Sequence, residues 1–441
     1  MISKNKNGVS IKSLPNGYLA IDPESISWVV SKNKRDLDDY EFEQELLNQR
    51  IDAIKQDRAT IYLDQFEIQI TEKCNLRCKY CYVPNSYKTS RTCLSISEFD
   101  IIIKKIEEFS CNEKRKPRIH LHGGEPGLCI ELVKYAINKY RNSFEFALQT
   151  NGCTIEISDL IWLVQNNVDV GISIDGEKVI NEKIRVNADT EKIIESIKTI
   201  KQYSVNSPNI LCTISDESVC GIFDLCCYLY DIGVYSISMN PVTPYLPHTT
   251  ENTPNESLLI EEYTKCVDFA LDKTINSPDK PLFINNMEAI AISILTSRSA
   301  SYCEMFPCGA GRHMAVINSL GDLYPCSGLI SNQNYNCGSV FSNNSILELL
   351  SSTPVKKIQN RKIEEIEPCN NCLYRQICGA NCPVPFINEN DDLKHKSFWC
   401  HFRHSLIDHV FNNTIENTNN ILNYISYETR ISLFNSQVSI T

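Results

Sequence analysis

A chain of 441 residues exceeds what one core usually fills, so two or three domains are expected. Apolar residues at 42% and charged residues at 22% exclude a disordered or fibrous chain, and neither a long uncharged apolar run nor a signal-peptide pattern occurs, which predicts a cytoplasmic protein without a membrane partner. The net charge of -11 is spread along the chain and argues against a nucleic-acid partner; a short basic run such as Lys114, Arg115 and Lys116 reads as a solvated loop.

Residues 1–62 read as an N-terminal α+β module. NGYLAIDPESISWVV suggests short strands around a turn, and DLDDYEFEQELLNQRIDAIKQ an amphipathic helix. From residue 66 short apolar strands alternate with helical stretches. FEIQIT precedes a helix near 95–109, RIHLHGG one near 128–141, FEFALQTNG one near 155–166, and VDVGISIDG one near 189–203. NILCTIS then precedes a helix near 217–231 and SISMNPV one near 256–274. Six such units predict an α/β fold with a parallel sheet, curled as a partial barrel or open and doubly wound. Either form gathers the loops after the strands at one mouth, where CNLRCKYC, GGEP, QTNG and SIDG all fall. The segments 63–295, 296–405 and 406–441 read as this unit, a cysteine-rich and loop-rich region, and a polar helical tail.

Twenty-one cysteines without an export signal point to metal binding or catalysis, because a reducing compartment disfavours disulfides. Cys74, Cys78 and Cys81 follow the first strand with three and then two residues between them. Three close thiolates leave one iron of a cubane open to a ligand, whereas zinc favours paired CxxC knuckles that close four positions. Cys93, beyond a turn containing Pro84, reads as a free thiol, and Cys337, Cys226 and Cys227 as packed small hydrophobes.

This CxxxCxxC, with Tyr80 before its last cysteine, resembles the hallmark of the radical SAM superfamily over residues 66–275. The resemblance implies a partial (β/α)6 barrel in which a 4Fe-4S cluster on Cys74, Cys78 and Cys81 binds S-adenosylmethionine and cleaves it to a 5'-deoxyadenosyl radical. It also implies cofactor contacts at Gly123, Gly124, Glu125 and Pro126, with the Glu125 carboxylate as the charged element. Further polar contacts are implied at Gln149, Asn151, Ser173 and Asp175, and a pairing of Arg185 with the methionine carboxylate.

The later cysteines resemble a SPASM domain, the C-terminal extension carrying auxiliary 4Fe-4S clusters. By position, Cys303, Cys308, Cys326 and Cys382 would hold the first, and Cys369, Cys372, Cys378 and Cys400 the second, three clusters in all. Relatives often have five residues where four separate Cys303 from Cys308, so Cys303 is the ligand that departs from the pattern; two structural zinc ribbons are the alternative. The resemblance implies a precursor peptide or protein substrate, carbon-carbon or thioether crosslinking, a leader-recognising role for the N-terminal module, and a flavodoxin- or ferredoxin-type electron donor. An anaerobic sulfatase-maturating enzyme is the alternative, against which stands Ser327 where those enzymes carry an aspartate. A non-catalytic iron-sulfur or zinc scaffold is the alternative of another class. The proton acceptor is not readable; His122, His313, Asp322 and Tyr324 are the candidates.

Overall fold

The computed structural model describes residues 2–59, 62–83, 93–110, 117–204, 207–246, 249–297, 303 and 308–438; the basic run at 114–116 and Pro84 lie outside them. Its first sheet is built from four short antiparallel strands, β1 (Ile2–Lys4), β2 (Ser10–Leu14), β3 (Gly17–Asp22) and β4 (Ser27–Ser31), in that spatial order. The helix expected from residue 36 starts later. A 3-10 turn covers Lys34–Leu37, and α1 (Gln44–Ala59) buries Ile54 alone.

All six expected strand-helix units form. They are β5 (Gln65–Thr71) with α2 (Ile96–Ser110), β7 (Arg118–Gly123) with α3 (Ile130–Tyr140), and β8 (Glu145–Thr150) with α4 (Ile157–Gln165). Next come β9 (Asp169–Ser173) with α6 (Thr190–Tyr203), β11 (Asn209–Ile214) with α7 (Ile222–Asp231), and β12 (Ser236–Pro241) with α8 (Glu256–Asn276). Three small elements escaped the sequence pattern: β6 (Arg77–Cys78), the short α5 (Lys178–Ile184), and β10 (Arg185–Val186), into which α5 leads.

Side chains alternate across a strand, and here the two faces differ in kind. Phe66, Ile68 and Ile70 of β5 and Ile119 and Leu121 of β7 pack with the apolar side chains of the flanking helices. Glu67, Gln69, His120 and His122 take the opposite face, with Glu67 in register with His120 and Gln69 with His122. A partial barrel with an apolar exterior layer and a polar lumen results.

The sheet continues beyond the expected six strands. β13 (Phe283–Ile284), leading into α9 (Asn285–Thr296), extends it past β12, while β14 (Met314–Ile317) and β15 (Leu323–Tyr324) come from the cysteine-rich region. The strand order is β13-β12-β11-β9-β8-β7-β5-β14-β15, with every pair parallel except β14 with β15. The cysteine-rich region therefore shares the barrel sheet.

The tail is less polar in space than in composition. Helix α10 (Cys400–Glu416) runs unbroken through the boundary expected at 405/406 and buries Phe402, Leu406, Ile407, Val410 and Phe411. It docks the first sheet: the rings of Trp28 and Phe411 meet edge-on at 5.5 Å, and Lys12 pairs with Asp408 at 2.6 Å. Among the described residues no helix is long and apolar enough to cross a membrane.

Candidate active site

The loop after β5 carries Cys74, Cys78 and Cys81, all half-buried and outside any disulfide. Cys78 lies on β6 directly opposite Arg185 of β10. Burial pushes the Cys78 thiol up to about 12 despite the nearby guanidinium. A thiol in that state becomes a ligand only where a metal stabilises its thiolate.

The GGEP turn braces this loop through backbone contacts. Gly124 N donates to Thr71 O at 2.9 Å and Glu125 N to Lys73 O at 2.8 Å. A Cβ on Gly123 would meet Thr71 O at 2.2 Å, and one on Gly124 would meet Lys73 O at 2.2 Å, so only glycine allows the two segments to lie so close. Pro126 opens the 3-10 turn that follows.

The Glu125 carboxylate is 1% exposed and works inward. It accepts from Gly127 N at 2.9 Å, Thr150 Oγ1 at 2.6 Å, Asn151 N at 2.8 Å and Thr154 Oγ1 at 2.9 Å. Its charge thereby fastens GGEP to QTNG. Asn151 reaches the cluster loop, donating from Nδ2 to Asn75 Oδ1 at 2.8 Å, while Gln149 donates to Ser173 Oγ at 2.9 Å.

Tyr80, Asp175 and Arg185 form a buried group. The Tyr80 hydroxyl donates to Asp175; Arg185 Nη1 donates to Tyr80 Oη at 2.8 Å and to Asp175 Oδ2 at 3.3 Å; Thr213 N donates to Asp175 Oδ1 at 2.8 Å. Asp175, expected at the cofactor, is wholly enclosed by protein contacts. Arg185 keeps a buried Nε–H with no hydrogen-bond partner. Such a donor costs about 1–3 kcal/mol unless an acceptor arrives, and a ligand carboxylate beside the cysteine loop would supply one.

The later cysteines come together in two groups. Cys326 senses the charges of Cys308, Cys382 and Cys303, with Cys303 exposed. Cys378 senses those of Cys372, Cys400 and Cys369. Burial pushes Cys382 and Cys378 to about 12 and Cys369 to about 11. Among the described residues no three His, Cys, Asp or Glu side chains are placed to hold a metal ion.

The radical SAM superfamily profile matches residues 68–225, and the profile of the SPASM iron-sulfur cluster-binding domain matches residues 308–373. The chain carries a radical SAM domain and a SPASM domain. A cysteine-type anaerobic sulfatase-maturating enzyme of Clostridium novyi is 26% identical over 334 residues, which are 71% of this chain and 85% of the relative. The fold matches that of native anSMEcpe with bound AdoMet at TM-score 0.68 and 19% identity, over 81% of this chain and 99% of that one. It also matches Streptococcus suis SuiB bound to precursor peptide SuiA at TM-score 0.61 and 14% identity, over 91% and 100%. As a radical SAM and SPASM protein the chain binds S-adenosylmethionine and iron-sulfur centres, and the buried thiols and the unpartnered Arg185 Nε fit that requirement.

Two features around these centres were not legible in the sequence. Arg361, 6% exposed, lies where it senses Cys308 and Cys382 of one group and Cys369 and Cys378 of the other. It donates to the carbonyls of Leu393 at 2.8 Å, Asn381 at 2.9 Å and His395 at 2.8 Å. Arg361→Met should strand these carbonyls and cost about 3 kcal/mol or more, read as a lower urea midpoint and lower iron content. His404 places Nε2 3.2 Å from Cys372 Sγ.

Cys93 corrects an expectation: it is disulfide-bonded to Cys129, Cα to Cα 6.1 Å, because the turn after GGEP brings Cys129 beside the segment entering α2. Cys226 is buried and Cys337 half-buried, as packed thiols should be. Of the four candidate proton acceptors, His122 is on the lumen face of β7, and Tyr324 is on the same face of the sheet, since it pairs with Val316, which pairs with Glu67. Asp322 sits in the β14-β15 turn near Asn318, Tyr324 is fully buried near Gln333, and His313 precedes β14 with burial lowering its basicity.

Proposed function

We propose that this radical SAM enzyme oxidatively modifies a residue in a ribosomally made precursor peptide, forming a carbon-carbon or thioether crosslink. One observation carries the reading: three groups of mostly half-buried thiols, with the polar barrel lumen meeting the first at the cluster loop and the second beside Cys326, where Ser327 reaches Glu67. Cys74, Cys78 and Cys81 would hold the cofactor-binding cluster. Cys303, Cys308, Cys326 and Cys382 would hold one auxiliary cluster, and Cys369, Cys372, Cys378 and Cys400 another.

Bound there, a reduced cluster and S-adenosylmethionine supply hydrogen-atom abstraction from an unactivated carbon. The chain's own residues bind and orient. Arg185 offers its Nε–H to the methionine carboxylate, Tyr80 and Asp175 hold that guanidinium in place, and Glu125 keeps the GGEP and QTNG loops in register around the ligand. Gln149, Asn151 and Ser173 supply the remaining polar contacts. A flavodoxin- or ferredoxin-type protein is the electron donor in this reading, and the cytoplasm its compartment.

Support for a peptide substrate comes from the relatives: one matures a sulfatase, and SuiB is seen with a precursor peptide. In the N-terminal module, residues 1–62, β1 pairs among the described residues on one side only, with β2. Its other edge is the kind of surface to which a leader peptide adds a strand.

Formylglycine formation is the second reading, favoured by the similarity to the Clostridium novyi enzyme and opposed by Ser327. Anaerobic reconstitution, followed by mass spectrometry of a peptide library that includes sulfatase-type cysteine and serine peptides, tests both. We expect 5'-deoxyadenosine together with a peptide lighter by two hydrogens and internally linked. A formylglycine product would favour the second reading, and absence of 5'-deoxyadenosine would leave a non-catalytic scaffold.

A further inference from the structure

We infer that the Glu67 carboxylate, bridged by the Ser327 hydroxyl, takes the proton released when the new substrate bond forms. This inference rests on the crosslinking reading above. Glu67 lies on the lumen face of β5, 5% exposed. The Ser327 hydroxyl donates to its Oε2, across 260 residues of sequence, and Gln69 Nε2 donates to its Oε1 at 3.3 Å. His122 Nδ1 stands 3.7 Å from the same Oε1 and has no hydrogen-bond partner of its own. Tyr82, next to Cys81 of the first thiol group, packs together with Cys326 of the second against Met314, Val316, Tyr324 and Ile330, and its hydroxyl is hydrogen-bonded with Ser327. The carboxylate therefore lies where the cluster loop and the first auxiliary group approach each other, the place a substrate must enter to exchange electrons with both.

Charge balance requires an acceptor at this point. Joining a substrate carbon to a second substrate atom X breaks one C–H and one X–H bond and forms one C–X bond. The hydrogen atom from carbon would go to the fragment of the cleaved cofactor, and one further electron to an auxiliary cluster held by the later cysteines. The X–H proton remains. Burial raises the Glu67 carboxyl, while the facing imidazoles of His122 and His120 and the Ser327 hydroxyl lower it, with a net downward direction; both of its oxygens already accept, from Ser327 and Gln69, which places a proton-accepting carboxylate at this point of the lumen. Ser327 is the positioning residue: its hydroxyl can take the proton from X while passing its own to Glu67.

The test compares wild type, Glu67→Gln and Ser327→Ala on the peptide that the library experiment yields as substrate. Iron content, peptide affinity by fluorescence anisotropy, 5'-deoxyadenosine and crosslinked product are measured side by side. In Glu67→Gln we expect product per 5'-deoxyadenosine to fall about 100-fold, with iron and peptide affinity unchanged. A wild-type ratio of product to 5'-deoxyadenosine in that variant would overturn the assignment. Should Glu67→Gln lose iron, Ser327→Ala decides: a ratio lowered about tenfold at full iron content supports the relay, and an unchanged ratio removes it. Failure of the wild-type chain to modify any peptide would sink the crosslinking reading instead, a distinct result.

Discussion

Cys78→Ala is expected to abolish 5'-deoxyadenosine formation while leaving the chain folded. Cys78 is fixed by the β6-β10 pair opposite Arg185, so its sulfur sits where the cluster loop meets the guanidinium that would hold the cofactor. Its burial keeps the free thiol protonated up to about pH 12, and a cluster iron reverses that preference. Without the sulfur, a three-thiolate site has two donors left, too few to retain a cubane. Anaerobically purified Cys78→Ala should lose one cluster's share of iron and all turnover of S-adenosylmethionine, with far-ultraviolet circular dichroism unchanged. The exposed Cys220 provides the control, since Cys220→Ser should keep both. Full iron and full cleavage in Cys78→Ala would contradict the assignment of the open-cornered cluster to this loop.

The second large effect is expected from Glu125→Gln. The wild-type carboxylate receives two backbone N–H groups and two threonine hydroxyls, all in a buried setting. A glutamine amide turns one acceptor oxygen into a donor and faces it against other donors. Charge-assisted bonds of this kind are worth about 1.5–3 kcal/mol each, so the variant should lose about 3 kcal/mol or more, seen as a lower urea midpoint. Because the same carboxylate ties GGEP to QTNG, affinity for S-adenosylmethionine should fall with it when measured by calorimetry. A midpoint equal to wild type would show that the turn holds itself.

Much of this architecture could be read beforehand, for a definite reason. Strands such as FEIQIT and helices such as EKIIESIKTI carry their own periodicity, and periodicity is local. What escaped depends on partners far apart in sequence. β6 and β10 are two residues each and exist only because they pair with one another. β14 joins the barrel because its residues 314–317 match β5 in register, which no local pattern announces. The polar look of the tail from 406 came from residues such as Asp408, His409, Asn412 and Asn413, yet Leu406, Ile407, Val410 and Phe411 line one helix face, a signal that was present and outweighed by composition.

The site divides in the same way. Spacing singles out Cys74, Cys78 and Cys81, and the resemblance to a SPASM layout implies which of the later thiols belong together. Neither reveals that Asp175 is sealed by Tyr80 and Arg185, or that Ser327 meets Glu67. An aspartate beside Cys326 would have been visible as a motif; a carboxylate that reaches the same neighbourhood from β5 is not.

The placement of β14 against β5 also bears on biosynthesis. The first barrel strand leaves the ribosome with one edge bare, and its neighbour follows only after roughly 250 residues more, on the order of 10 to 50 s of translation. Over that interval a nascent chain offers an unpaired strand edge to any other chain nearby. Chaperone supply and slow expression should therefore govern the yield of intact protein, and truncation before residue 314 should give insoluble material.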